Sequence, residues 1–346
     1  MTTNGFDWQS RGVAPLEKSS DVLARVYDAA LFDLDGVIYV GRDSVPGVVS
    51  CINQLHTDFG LTLTYVTNNA SRSPASVADH LRELGLAAIP EDVVTSAQAG
   101  AAVLATLVPQ GSSIFVLGSR DLMAEVELVG LVPSQDVEAQ HAGVIEGYWP
   151  DMPWRMLAQA SHVLSTGVPW VATNMDITIP TQWGMAPGNG AMVNALAQSV
   201  GRRPTAVAGK PEVPLMQQSI ERAQSQRPLV VGDRLDTDIQ GANNVGIDSL
   251  LVFSGVTSVR ELLAAPSELR PTYVAWDATG LADSHHGVDV NLGVASLNGW
   301  QVSQGSLIGQ GDILDAIRVV AVAVWNGVLS IDDATSQLSE RGIAVG

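Results

Sequence analysis

Asp33 and Asp35, with Gly36 directly after them, are the residues whose types and spacing first suggest chemistry. They close the apolar run that begins at Leu31 and continue into Val37-Ile38-Tyr39. In a strand, residues i and i+2 share a face, and the glycine marks the strand's end. Both carboxylates therefore reach a sheet rim, where open α/β sheets bind ligands. One carboxylate of such a pair can attack or hold a metal while the other moves a proton. A buried strand that merely ends in an acidic turn would carry the same string, so the rest of the chain must decide.

A second acidic group, Gly232-Asp233-Arg234-Leu235-Asp236-Thr237-Asp238, follows the apolar run Pro228-Leu229-Val230-Val231. Carboxylates from two strand ends brought to one rim make an all-oxygen site, the donor set that Mg²⁺ prefers. No Cys/His cluster is present that would favour zinc. Asp236 and Asp238 could instead serve the start of a helix by capping and first-turn charge, and one of them is expected to do both. The chain has 18 basic residues, of which only Lys18 and Lys210 are lysine. A lysine kept within Gly209-Lys210-Pro211, in a chain that otherwise uses arginine, points to a task for a compact charge on a flexible stem.

These residues need elements to place them. Residues 1–25 read as a loose polar tail. The stretch Tyr27 to Val40 reads as a buried strand and turn. A helix follows from Pro46-Gly47 to about Asp58, then a strand over Leu61–Thr67 ending in Asn68-Asn69, then a helix from Ser73-Pro74 to Leu84, closed by Gly85. This is a parallel α/β pattern. A second α/β set occupies about Ala97 to Thr205, with strands near Ile114, Gly143 and Trp170 and helices near Leu122, Trp154 and Gly190. From about Glu212 the first pattern resumes. The predicted fold is α/β: a Rossmann-like core at 26–95 and 206–284, interrupted by an α/β domain at 96–205, with a C-terminal extension at 285–346. In that extension an apolar helix is predicted near Ile313–Trp325.

The bulk numbers fit a multi-domain globular chain: 346 residues, 46% hydrophobic, with a net charge of −18. That charge argues against broad binding of nucleic acid or an anionic membrane. No apolar stretch approaches the length of a membrane span, and no signal peptide is visible. The single cysteine, Cys51, excludes an intrachain disulfide, suits a reducing cytoplasm and reads as a core thiol.

Four strings now stand in order: Asp33-x-Asp35-Gly36-Val37, Val66-Thr67-Asn68-Asn69, Ala208-Gly209-Lys210-Pro211, and Val231-Gly232-Asp233-Arg234-Leu235-Asp236-Thr237-Asp238. Their set and order resemble the haloacid dehalogenase superfamily of phosphotransferases, and subfamily IIA in particular, with its NagD-like and para-nitrophenylphosphatase-like enzymes. The resemblance covers about residues 27–280. It implies that Asp33 is a nucleophile forming an aspartyl-phosphate, and that Asp35 protonates the leaving alkoxide and then activates water. Thr67 and Asn68 would bind phosphoryl oxygens. Lys210 would stabilise the transferring charge and orient Asp33. Mg²⁺ would be held by Asp33, Asp233 and the main-chain carbonyl of Asp35, with Asp238 steadying a metal-bound water.

Only about 30 residues separate Asp35 from Thr67, whereas about 140 separate Thr67 from Lys210. The insertion after the second motif resembles a C2-type cap, which in this superfamily reads the leaving group. Its candidate substrate residues are Asn174, Asp176 and Gly188, within Ala172-Thr173-Asn174-Met175-Asp176 and Pro187-Gly188-Asn189-Gly190; the same residue types also make ordinary turns. Trp183 and Arg120 are weaker candidates, and His56, His80, His141 and His162 have no part in this mechanism. The extension after Ser284 resembles those of actinobacterial members and reads as a packing or dimerisation module, which leaves room for a homodimer. The expected activity is Mg²⁺-dependent hydrolysis of a small phosphomonoester, with glycerol 3-phosphate favoured by the resemblance to actinobacterial members. Phosphoglycolate, para-nitrophenyl phosphate and nucleoside monophosphates stay open. A phosphomutase, a dehalogenase or a non-catalytic phosphate-binding scaffold are the rivals. Asp35, Asp233 and Asp238 argue against a dehalogenase, which needs neither the second aspartate nor the metal.

Overall fold

A computed structural model describes residues 16–181 and 183–346. The chain divides into two compact units. One takes the chain as far as Thr64, with Leu84–Ala87 and Ala223–Gly346; the other is Tyr65–Glu83 with Ala88–Arg222.

The first unit is built on parallel strands in the spatial order Tyr273–Ala275, Asp248–Val252, Pro228–Gly232, Ala29–Phe32. Ala29, Ala30, Leu31 and Phe32 are all buried, as expected of a parallel strand covered on both faces. On the other side of Ala29–Phe32 a strand starts at Thr62, whose N–H donates to Asp28 O at 3.0 Å. The chain thus leaves Ala29–Phe32 in one direction through the strand that starts at Thr62, while Pro228–Gly232 flanks it on the opposite side. That reversal of strand order is where open α/β sheets form a ligand crevice.

The C-terminal extension belongs to the same unit. Four antiparallel strands, Asp289–Asn291, Val294–Leu297, Trp300–Ser303 and Ser306–Gly309, precede helices Ile313–Trp325 and Ile331–Ser339. Leu297, Trp300, Val302, Val319 and Val320 share one apolar cluster with Leu251, Leu262 and Val274 of the α/β core. A buried polar group fastens this layer. Arg318 donates to Asp315 Oδ1 (2.7 Å), to Val274 O (2.9 Å) and to His285 Nδ1 (3.0 Å), and His285 Nε2 lies 3.0 Å from Gly280 O.

The expected N-terminal tail lies outside the described residues up to position 15. From Leu16 the chain is hydrogen-bonded to Pro271, Thr272 and His285, and a short helix forms at Leu23–Val26.

In the second unit, Tyr65–Thr67 pairs in parallel with Val93–Thr95. A separate five-stranded sheet is also parallel, in the order Ala206–Val207, Trp170–Ala172, Gly143–Glu146, Ser113–Leu117, Val132–Ser134. Helices Ser96–Leu107 and Arg120–Leu128 bury Ala101, Leu104, Leu122 and Val126 against one face. Helices Trp154–Leu164 and Asn189–Val200 bury Met156, Ala160, Val193 and Leu196 against the other.

No helix among the described residues is long and apolar enough to cross a membrane.

Candidate active site

In the first unit, the register Phe32↔Val231 sets the ends of two neighbouring strands side by side, and Asp33 N–H donates to Val231 O at 2.9 Å. Asp33 and Asp233 therefore leave the same rim together. Asp238 joins them from the wide helical turn Leu235–Ile239. Ligating atoms of Asp33, Asp233 and Asp238 all lie within 4.8 Å of one another, Asp33 half-buried and the other two buried. Like charges this close in a shielded setting repel strongly. A divalent cation that takes oxygen ligands resolves the repulsion, so the donor set fits Mg²⁺.

The surrounding backbone fixes these carboxylates. Asp233 Oδ2 accepts Val256 N–H at 2.7 Å, and its carbonyl accepts Thr257 N–H at 3.1 Å. Asp238 Oδ2 accepts Arg234 N–H at 3.1 Å. Gly36 has φ +89°, and a Cβ there would stand 2.5 Å from Asp233 Oδ2, so only glycine allows the turn to approach so closely. Ser254 Oγ donates to Gly36 O at 2.6 Å and ties that turn to the strand Asp248–Val252 through the loop after it. Sequence reasoning missed Ser254 and Val256; the signal was Ser254-Gly255 closing another apolar strand.

Asp35 is not one of the clustered carboxylates. Its side chain reaches the surface, yet the protein around it desolvates the carboxyl and raises its pKa, with Gly41 N–H pulling the opposite way. A carboxyl that holds its proton more firmly suits a proton donor. Asp236 is exposed and pairs with Arg234, Oδ2 to Nη2 at 2.9 Å, so of the two acidic residues on this turn it is Asp238 that enters the cluster.

In the second unit, Thr67 ends its strand, and its Oγ1 accepts Asn69 N–H at 3.1 Å. Lys210 is buried, with Nζ 3.3 Å from Val66 O, and the Lys210–Pro211 peptide is cis. Asn68 Oδ1 accepts Lys210 N–H at 2.8 Å. The structure thus brings Thr67, Asn68 and Lys210 together, and it adds Asn174 and Asp176. Asn174 Nδ2 donates to Asn68 O at 2.6 Å, and Asn68 Nδ2 donates to Asp176 Oδ1 at 3.2 Å. Gly188 contributes main chain: its N–H donates to Ile177 O at 2.8 Å, and a Cβ there would lie 2.3 Å from Asp176 O. Ser96, whose Oγ reaches Asn68 O at 2.5 Å, was not foreseen. Trp183 is exposed in the turn between strands Thr178–Thr181 and Gly184–Pro187, and Arg120 is exposed at the start of its helix.

The chain is similar to known proteins. Residues 30–132 match the family described as haloacid dehalogenase-like hydrolase, and residues 207–281 a HAD-hydrolase-like family. The chain is 40% identical over 316 residues to a D-glycerol 3-phosphate phosphatase of Mycobacterium tuberculosis, covering 88% of this chain and 87% of that protein. It is 35% identical over 249 residues to an acid sugar phosphatase of Staphylococcus aureus, covering 71% and 93%. The crystal structure of a glycerol phosphate phosphatase from Mycobacterium tuberculosis in complex with magnesium superposes with a TM-score of 0.78 at 38% identity, over 88% of this chain and 92% of that one. With its paired motifs at two adjoining strand ends, the chain belongs to the haloacid dehalogenase-like hydrolases.

Proposed function

We propose that this protein is a Mg²⁺-dependent phosphatase that hydrolyses a small phosphomonoester, glycerol 3-phosphate first among them. The observation that carries the reading is the convergence of Asp33, Asp233 and Asp238 at the rim where the strand order reverses. The glycerol phosphate phosphatase relative supports the substrate, and the acid sugar phosphatase keeps other phosphate esters in the test.

The roles are those that the family resemblance implies for these positions, and the chemistry of the side chains suits them. A carboxylate oxygen of Asp33 attacks phosphorus while the bond to the ester oxygen breaks. Asp35 gives its proton to that oxygen, and the alcohol leaves. Asp35, now a carboxylate, takes a proton from water, whose oxygen attacks phosphorus and releases Asp33 and inorganic phosphate. Asp33, Asp233 and the Asp35 carbonyl would hold Mg²⁺, with Asp238 beside them, and the cation would neutralise charge between the two anions. Lys210 stabilises charge on the transferred group, and Thr67 and the Asn68 main chain hydrogen-bond its oxygens.

The α/β layer of residues 96–205 is assigned as the cap that reads the leaving group, and the loop of Asn174, Asp176 and Gly188 as the part of it that meets Asn68. A cytoplasmic location accords with the single cysteine, and a homodimer with the extension's layer.

The test is phosphate release from a panel of esters, with and without Mg²⁺. The reading requires metal-dependent turnover, with glycerol 3-phosphate ranking first by kcat/KM. No release from any ester would leave a binding protein.

A further inference from the structure

The Asn68 side chain brackets the main chain of Lys210. Its Oδ1 accepts Lys210 N–H at 2.8 Å, and its Nδ2 donates to Lys210 O at 3.0 Å. The same Nδ2 donates to Asp176 Oδ1 at 3.2 Å. A carboxamide has two donor hydrogens, and here they serve the lysine carbonyl and the aspartate. The Asn68 carbonyl is fixed from the other side by Asn174 Nδ2 and Ser96 Oγ, at 2.6 and 2.5 Å. Asn174 is itself held. Its Oδ1 accepts Asp176 N–H at 3.1 Å, and its carbonyl accepts Asn189 Nδ2 at 2.8 Å. No room is left for slack: a Cβ at Gly209 would stand 2.6 Å from both Asn68 Oδ1 and Thr173 O. Three loops far apart in the chain meet on one amide, with Asp176 and Lys210 lying 108 and 142 positions from Asn68.

We propose that Asp176 and Asn68 are positioning residues in series: Asp176 orients the Asn68 amide, and that amide fixes the Lys210 main chain from which the ammonium is delivered. The kinetic consequence rests on the phosphatase reading; the structural link does not. The sequence suggests that Asp176 meets hydroxyls of the leaving group. Acting through Asn68 and Lys210, it would instead affect the group transferred from every ester, and so kcat whatever the alcohol. Small misplacement of a charge-stabilising group is costly in rate even when binding is kept.

The chain's two lysines make the link directly observable. The full-length protein labelled with ¹⁵N-lysine gives two lysine amide signals, Lys18 as internal control and Lys210 as reporter. Asp176→Ala and Asn68→Ala should shift the Lys210 amide and speed its hydrogen exchange by about tenfold, the scale of one weakened hydrogen bond. Asp176→Asn keeps an oxygen acceptor and should leave the signal in place. Asn68→Asp, nearly isosteric, keeps the acceptor for Lys210 N–H, loses both donors and should also shift the signal.

On the kinetic side, Asp176→Ala should lower kcat by roughly tenfold on glycerol 3-phosphate and para-nitrophenyl phosphate alike, with KM little changed and Asp176→Asn restoring the rate. The double variant should be no slower than Asn68→Ala. A Lys210 amide unmoved by Asp176→Ala overturns the link whatever the activity. A loss confined to glycerol 3-phosphate overturns the positioning role. Wild-type protein that releases no phosphate would sink the phosphatase reading alone, and the amide signal would still decide the link.

Discussion

Trp170 Nε1 donates to Glu146 Oε2 at 3.1 Å inside the five-stranded sheet of the second unit, where Glu146 is fully buried. Its Oε1 has no partner among the described residues. Burial pushes the Glu146 pKa up to about 8, against the downward pull of the indole N–H. The folded state therefore keeps a proton that the unfolded chain loses near pH 4.5. Stability contributed below that value falls as pH rises from about 4.5 and is lost through about pH 8, by several kcal/mol on the order set by the shift. Glu146→Gln keeps an oxygen for Trp170 and cannot ionise. Its Tm should match wild type near pH 5 and exceed it increasingly toward pH 9. Parallel Tm curves for the two proteins would show that Glu146 stays charged in the fold.

The clasp on the C-terminal layer has the opposite pH sense. Burial lowers the His285 pKa to about 4, so the folded protein refuses a proton that the unfolded chain accepts below about 6.5. Stability should fall as pH drops through that window. Arg318→Ala would leave Asp315 buried without its guanidinium, at a cost of about 3 kcal/mol or more. Urea titrations at pH 7 measure it directly, and a change below about 0.5 kcal/mol would mean that the clasp contributes little.

How much could be read from the sequence is clearest in this layer. The helix Ile313–Trp325 was foreseen from its apolar run. The four-stranded meander before it was not, although a signal was present. Leu292-Gly293, Asn298-Gly299 and Gln304-Gly305 recur every six residues, each pair with positive φ at both positions. Such pairs close two-residue hairpins, and the registers Asn291↔Val294, Leu297↔Trp300 and Ser303↔Ser306 confirm three of them in succession. The strand ends that carry Asp33 and Asp233 were legible because buried parallel strands are short apolar runs. The helix Ser96–Leu107 was missed as a separate element because its alanine-rich sequence buries Ala97, Ala99, Gly100 and Ala101 without a clear stripe. The partner of Asp176 could not be read at all, since only the fold brings residue 68 to it.

Chelation tests the metal site. EDTA should abolish turnover, and Mg²⁺ should restore it. Ca²⁺ should occupy the carboxylates yet inhibit, because its larger and looser shell lets Asp33 coordinate without a good line of attack. Full activity in metal-free buffer would eliminate the assignment of Asp33, Asp233 and Asp238 as a metal site.

Asp35 is tested by the leaving group. Asp35→Asn should slow both formation and hydrolysis of the aspartyl-phosphate. In the first step the loss should be smallest for para-nitrophenyl phosphate, whose phenolate needs little protonation. An equal first-step loss on alkyl and aryl esters, measured by rapid quench, would assign the proton donor elsewhere.

The central claim is that Asp33 attacks phosphorus, and Asp33→Asn tests it most directly. The substitution preserves shape and removes the attacking charge. Steady-state phosphate release from glycerol 3-phosphate at saturating Mg²⁺ should fall by roughly a thousandfold or more, with the unfolding transition retained. A pure Asp33→Asn protein that keeps a tenth of wild-type turnover would contradict the covalent mechanism.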